Sequence, residues 1–192
     1  TARALTFRPR LDGVYYFPDR QWFTSFPGGS YEFMKQPGVR NLQGRVLFHY
    51  YATGITPAMA MKMVGVGSQY AAATTDSEGR PLDGSKTYKI HLPSGIPARN
   101  FWSFVVYDNQ TRSMLQTDQQ FAGINSLGEG LKQNADGSID VIFASELPEG
   151  VDTRNWIQTI PGKSWFIIFR AYGPLEPWLD HSWRPGELEL VK

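Results

Sequence analysis

The stretch Trp165-Phe166-Ile167-Ile168-Phe169-Arg170-Ala171-Tyr172-Gly173-Pro174 decides how this chain folds. Its residues are apolar at nearly every position, so both faces of an extended segment are hydrophobic. A strand of that kind sits between two layers. The uninterrupted apolar run, Trp165 to Phe169, is far too short to cross a bilayer. Gly173-Pro174 closes the strand, because proline brings no ladder N–H. Beyond it, Leu175-Glu176-Pro177-Trp178, Asp180, Trp183, Arg184, Pro185 and Gly186 form a rigid rim rich in tryptophan, carboxylate and proline.

Working outward, Phe101 to Asp108 is also two-faced, with Phe101, Val105 and Tyr107 on one side and Trp102, Phe104 and Val106 on the other. Two further segments alternate cleanly. Tyr88, Ile90 and Leu92 are interleaved with Thr87, Lys89 and His91, and Ile139, Val141 and Phe143 follow the same rule. Turn signals at Ser77-Glu78-Gly79, Asp83-Gly84, Asp136-Gly137 and Pro161-Gly162 separate them. Short strands punctuated in this way predict a mainly β fold, an antiparallel β-sandwich or jelly roll, over residues 68–192.

Residues 1–67 read differently, as an extended aromatic-rich arm plus one or two short helices. Val39, Leu42, Val46 and Tyr50 recur at helical spacing and predict a helix with that face inward. Gly54 suits its C-terminal cap, and Thr56-Pro57 suits the start of a second short helix reaching Met63.

Composition narrows the functional classes. Hydrophobic residues reach 41% and charged residues only 19%, so the chain is globular rather than disordered. A balance of 19 basic to 18 acidic residues, without a charge block, lacks the footprint of a nucleic-acid or anionic-lipid binder. Cysteine is absent, which removes disulfides, thiolate metal sites and cysteine nucleophiles. With no His pair at ligand spacing and no Asp-x-Asp-x-Asp loop, the expectation is no metal and no cofactor. Gly162-Lys163-Ser164 resembles the tail of a phosphate loop, but Ile157 stands where the first glycine belongs and a strand follows.

Candidate binding residues lie at two places. Asp108, Asn109 and Arg112 leave the buried strand at its C-terminal end, where ligand sites are often built. Trp178 and Asp180 stand in the proline-bounded rim, where an indole could stack on the apolar face of a sugar while carboxylate, amide and guanidinium read its hydroxyls. These five form the expected ligand site, for a saccharide or another polar-aromatic ligand, in a domain that is non-catalytic by itself. A second reading is a carboxylate-dependent hydrolase, most plausibly a glycoside hydrolase, using two of Asp108, Asp118, Glu176 and Asp180. Such a pair must lie roughly 5–9.5 Å apart. Among the three histidines, His181, beside Asp180, has the most promising setting for catalysis. Arg170, on a buried strand, requires a partner, for which Asp108 and Glu176 are natural choices.

Several ordered motifs carry a family resemblance: Gly84-Ser85-Lys86-Thr87-Tyr88, Phe101-Trp102-Ser103, Thr111-Arg112-Ser113-Met114, Asn134-Ala135-Asp136-Gly137-Ser138, Asn155-Trp156-Ile157-Gln158-Thr159 and Tyr172-Gly173-Pro174-Leu175-Glu176-Pro177-Trp178. With Trp183-Arg184-Pro185-Gly186-Glu187 they resemble the domain of unknown function family 1214 over about residues 84–190. That resemblance implies a jelly-roll-like sandwich at the C-terminal end of longer bacterial proteins, following a family 1254 domain. It also implies the periplasm or cell envelope rather than the cytoplasm, and it supplies no catalytic residues. A third reading follows, a structural domain that packs on such a partner domain or on a second copy of itself. No nucleic acid and no membrane insertion are expected.

Overall fold

The computed structural model describes residues 7–52, 54–128 and 130–191. A small hairpin, β1 (Met34–Gln36) and β2 (Val39–Arg40), leads into helix α1 (Leu42–Tyr51). There follow β3 (Ser68–Ala73), β4 (Tyr88–Leu92), β5 (Ala98–Asp108), β6 (Gly123–Asn125), β7 (Ile139–Ala144), β8 (Trp156–Gln158) and β9 (Trp165–Pro174). A one-turn helix, α2 (Glu176–Leu179), and β10 (Glu189–Leu190) close the chain.

Apart from the hairpin, the strands form two four-stranded sheets, in the orders β10-β4-β7-β8 and β3-β9-β5-β6. One hydrophobic core joins them. Tyr88, Ile90, Leu92, Val141, Phe143 and Ile157 of the first sheet share it with Trp102, Phe104, Val106, Trp165, Ile167 and Phe169 of the second. The chain is therefore mainly β and sandwich-like. All neighbours run antiparallel except β7 and β8, which are parallel, so the expected all-antiparallel arrangement is corrected at that edge. β8 is only three residues long and opens on Trp156, whose Nε1–H donates to the Ala144 carbonyl at 3.0 Å.

β9 does lie between two layers. Trp165, Ile167, Phe169 and Ala171 face the inter-sheet core. Phe166 and Ile168 point the other way, onto Val14, Phe23 and Leu47 from the N-terminal arm and α1. Burying each such large side chain contributes about 1.5–3 kcal/mol. Truncating Phe169, which touches Phe104, Trp178 and Trp183 at 5.1–5.8 Å between ring centres, would cost about 3–5 kcal/mol.

The arm extends the sheet as well as covering it. Phe23 and Ala72 exchange both backbone hydrogen bonds at 2.9 Å, so the open edge of β3 is paired. Tyr16 and Trp22 bring the same segment over the tail: Trp22 Nε1–H donates to the Gly186 carbonyl at 2.8 Å.

α1 forms where the periodicity placed it, but with a different face inward. Asn41 caps it, its Oδ1 accepting from the Gly44 amide at 2.9 Å. Gly44 leaves room for that cap, because a Cβ there would press within 3.0 Å of the Asn41 side chain. Leu47, Phe48 and Tyr51 pack inward, whereas Val39 and Val46 are exposed and Leu42 is 64% exposed. Ala52, rather than Gly54, is the C-terminal cap. The second helix contracts to a single 3-10 turn, Pro57–Met59.

Candidate functional site

Asp108 ends β5 with a buried side chain, 4% exposed. Its Oδ1 accepts from the amides of Gln110 (2.6 Å) and Thr111 (3.2 Å), and its Oδ2 takes Lys163 Nζ at 2.5 Å. Burial works against the charge, but Lys163 and the two amides outweigh it and hold the carboxyl below its ordinary range. Asn109 Nδ2 donates to Ser164 Oγ at 2.7 Å, and that hydroxyl donates on to the Leu82 carbonyl at 2.7 Å. Arg112 adopts a left-handed backbone (φ 64) and lays its guanidinium over the Tyr50 ring at 4.8 Å. These three residues thus tie one turn to the residues that lead into β9 and to α1. Asp108 and Asn109 spend their polar atoms on that task, save Asn109 Oδ1, which is buried without a partner.

Trp178 and Asp180 lie elsewhere. Asp108 is paired with Trp165 at the start of β9, whereas Trp178 and Asp180 follow Pro174 at its far end. The intervening strand, at about 3.3 Å per residue, separates the groups by roughly 30 Å. The expected five-residue site is therefore not assembled. Trp178 is also corrected as a stacking platform: it is 2% exposed and enclosed by Tyr16, Phe169 and Trp183. Asp180 is exposed, and its Oδ1 accepts from the Ser182 amide at 2.8 Å. Of the remaining carboxylates, Asp118 takes Gln158 Nε2 at 3.0 Å, and Glu176 is exposed in the single turn of α2.

What does converge is the turn after α2, the arm and β3. They enclose a cleft of ≈ 510 Å³ whose walls include Tyr15, Tyr16, Met61, Lys62, Tyr70 and His181. Tyr16 Oη donates to the Tyr70 carbonyl at 2.8 Å, locking the arm to β3. The Tyr70 hydroxyl meets Ser68 Oγ at 2.7 Å, and Gln69 Nε2 donates to the Met61 carbonyl at 3.1 Å. His181 sits in a left-handed conformation (φ 66), with its ring edge-on to Tyr16 and Phe17 at 5.9 and 5.3 Å. That backbone region is sparsely populated by residues other than glycine, though histidine tolerates it better than most.

The electrostatics of the cleft are mild. Burial, then Lys62 and Arg184, push the His181 imidazole below its ordinary value against the opposing pull of Asp180, so it is neutral at pH 7. Burial carries Tyr16 up to about 12, so its hydroxyl stays protonated. The cleft thus presents one ammonium group, neutral rings and hydroxyls, a set suited to hydrogen-bonding and stacking. Among the described residues no three His, Asp or Glu side chains gather as a metal site would require.

Two features were not read from the sequence. Glu187 is half-buried: its Oε2 accepts from the Gln21 amide at 3.0 Å, its Oε1 has no partner, and burial raises its carboxyl above the ordinary value. Arg170 does not reach Asp108 or Glu176, and its Nη2 donates instead to the Tyr107 hydroxyl at 2.6 Å. The cleft itself left no local signal, because Tyr16 and Tyr70 are 54 positions apart. Its one hint was the run of aromatic residues in an arm without a sustained period.

No curated protein matches the chain. The VPA0106 protein from Vibrio parahaemolyticus, known as a crystal structure, is similar at 23% identity and a TM-score of 0.58, over 78% of this chain and 35% of that one. An uncharacterized protein from Burkholderia cenocepacia is similar at 13% identity and a TM-score of 0.50, over 99% of this chain and 38% of that one. At such identities the likeness concerns the fold alone. The chain spans little more than a third of either solved protein. The model of the family described as "Protein of unknown function (DUF1214)" matches residues 67–176, more than half of the sequence, and the chain therefore belongs to that family.

Proposed function

We propose that this chain is a small-molecule-binding domain, non-catalytic by itself, which holds a saccharide or another polar ligand with an aromatic face in the cleft beside β3. One observation carries the reading: Lys62, Tyr70 and a neutral His181 line the same ≈ 510 Å³ space as Tyr15 and Tyr16. Flat rings offer apolar faces, the hydroxyls and imidazole exchange hydrogen bonds, and Lys62 selects for a partial or full negative charge. The cleft replaces the Asp108–Trp178 site as the location, while the ligand class is unchanged.

The experiment is a thermal-shift screen with mono- and oligosaccharides and nucleotides. A ligand at a hundredfold excess over its Kd stabilises by about 2.7 kcal/mol. For a domain of this size that is a rise in Tm of roughly 5–11 °C. The shift should vanish in Lys62→Met, a change at an exposed position. A screen without any shift, or a shift untouched by Lys62→Met, defeats the proposal.

The same reading includes a jelly-roll topology. The order β10-β4-β7 facing β3-β9-β5-β6 is what two interleaved Greek keys generate once one outer strand is omitted and the parallel β8 is added. A second functional reading, packing on a partner domain of family 1254 within a longer chain, draws support from two facts. Val39, Leu42, Val46, Met63, Val64 and Val66 are exposed, and the parts matched are only 35% and 38% of the two solved relatives. The hydrolase reading has less support. Asp108 is spent on Lys163 and two amides, and it lies a strand length from Glu176 and Asp180, well beyond the roughly 9.5 Å such chemistry allows.

A further inference from the structure

The outer face of the β3-β9-β5-β6 sheet carries a cation without a counter-charge. Arg170 stands in register with Tyr70 of β3 and Ser103 of β5, and Ser103 stands opposite Asn125 of β6. This polar row crosses a face otherwise made of Phe166, Ile168, Ala72 and Val105, all buried. Nη2 of Arg170 donates to the Tyr107 hydroxyl at 2.6 Å, and its guanidinium carbon lies 5.5 Å from the centre of that ring. Nη1 is buried and has no hydrogen-bond partner. Among the described residues no carboxylate comes within ion-pair distance of Arg170, although six other Lys– or Arg–carboxylate pairs form.

Such a residue is costly where it stands, because a guanidinium on an apolar surface keeps its desolvation penalty and gains no Coulombic return. Its donor fork matches one partner better than others, the planar and bidentate carboxylate. The surroundings add apolar and hydroxyl-bearing surface. Tyr172, two residues on and on the same face of β9, is stacked on Phe101 with ring centres 4.0 Å apart. The Tyr70 hydroxyl is held beside it by Ser68 Oγ. Arg170 as a whole is only half-buried, so part of its side chain reaches the sheet surface.

We propose that Arg170 anchors a second ligand site, one that takes the carboxylate of a small molecule with an aromatic body, between Tyr107 and the Phe101–Tyr172 pair. The site is separate from the cleft reading: Arg170 and Tyr107 do not line the cleft, and Lys62 and His181 take no part here.

The test titrates the whole chain with benzoate, using benzamide as the uncharged isostere and inorganic phosphate as the non-planar anion, followed by Tm and by calorimetry. Benzoate is expected to raise Tm saturably, with benzamide inactive and phosphate at least tenfold weaker. Arg170→Met should weaken benzoate at least tenfold, and Tyr107→Phe severalfold, while Lys62→Met leaves it unchanged. Should Arg170→Met fail to fold, Arg170→Lys keeps the charge and loses the fork, and a severalfold loss is expected there. No response to benzoate, an equal response to benzamide or phosphate, or full binding by Arg170→Met or Arg170→Lys overturns the proposal. A benzoate response lost in Lys62→Met and kept in Arg170→Met would also overturn it, by assigning the ligand to the cleft.

Discussion

Asp108 is the place where the structural account departs most sharply from a binding role, and it can be tested on stability alone. Its Oδ1 holds the Gln110 and Thr111 amides, while its Oδ2 holds Lys163. Hydrogen bonds to a charged acceptor contribute about 1.5–3 kcal/mol each when buried, but Gln110 and Thr111 are exposed, so water recovers part of each amide when the carboxylate is removed. About 1 kcal/mol per amide is then a fair figure. Lys163 is 48% exposed, and its pairing with Asp108 is worth at most about 1 kcal/mol after screening. Asp108→Ala should therefore cost about 2–3 kcal/mol. Asp108→Asn keeps an acceptor for both amides and should cost about 1 kcal/mol or less, as should Lys163→Met.

The pH dependence gives an independent reading of the same residue. The folded pKa of Asp108 lies below its unfolded value, so its contribution is complete above that value and disappears as pH falls through the folded pKa. Urea unfolding at pH 7 and at pH 3 measures both terms, and the Asp108→Ala penalty should shrink at the lower pH. If Asp108→Asn proves as damaging as Asp108→Ala, the ion pair and not the turn is what Asp108 supplies. If Asp108→Ala leaves stability intact and abolishes ligand binding, the structural assignment is wrong.

Other expectations are simpler. Trp178→Ala should cost about 3–5 kcal/mol in chemical denaturation, because it empties a packed cluster with Phe169 and Trp183, whereas Asp180→Ala at the exposed neighbour should leave the unfolding midpoint nearly unchanged. Glu187 has a raised folded pKa, so its favourable contribution is full below the ordinary value of 4.5 and fades as pH rises through the folded one. Glu187→Gln keeps the acceptor for the Gln21 amide and should flatten that pH dependence, raising stability at pH 7 by up to ~1 kcal/mol; an unchanged profile would contradict the assignment. For His181 the sign is opposite. Its lowered pKa means that stability falls as pH drops below 6.5 and through the folded value, and NMR titration of the imidazole should give a midpoint beneath 6.5.

How far the sequence could be read depended on the range of the interactions involved. β4 and β7 are written in strict alternation, and β5 and β9 in two-faced runs, so each strand declares its own surroundings within a few residues. The capped start of α1 is local too, but its orientation is not. Leu42 and Val46 have helical spacing and yet face outward, because Leu47, Phe48 and Tyr51 meet the arm and the sheet first. β8, at three residues, is too short to show a period and depends on its parallel pairing with β7.

The site was less legible for the same reason. Asp108 and Asn109 have the composition of a binding loop and also that of an Asx turn, and only Lys163 and Ser164, 55 residues on, decide between them. Trp178 looks like a rim residue from its prolines, but Tyr16 folds over it from the far end of the chain. The cleft arises from that same crossing of arm and β3, so no window of sequence contains it.

The most direct measurement is a crystal structure of this chain with the best ligand of the saccharide and nucleotide screen. The account predicts that ligand between Tyr70, Lys62 and His181, hydrogen-bonded to at least one of them and flanked by a tyrosine ring. A ligand seated instead at Arg112 and Asp108, or a screen in which nothing binds, contradicts it.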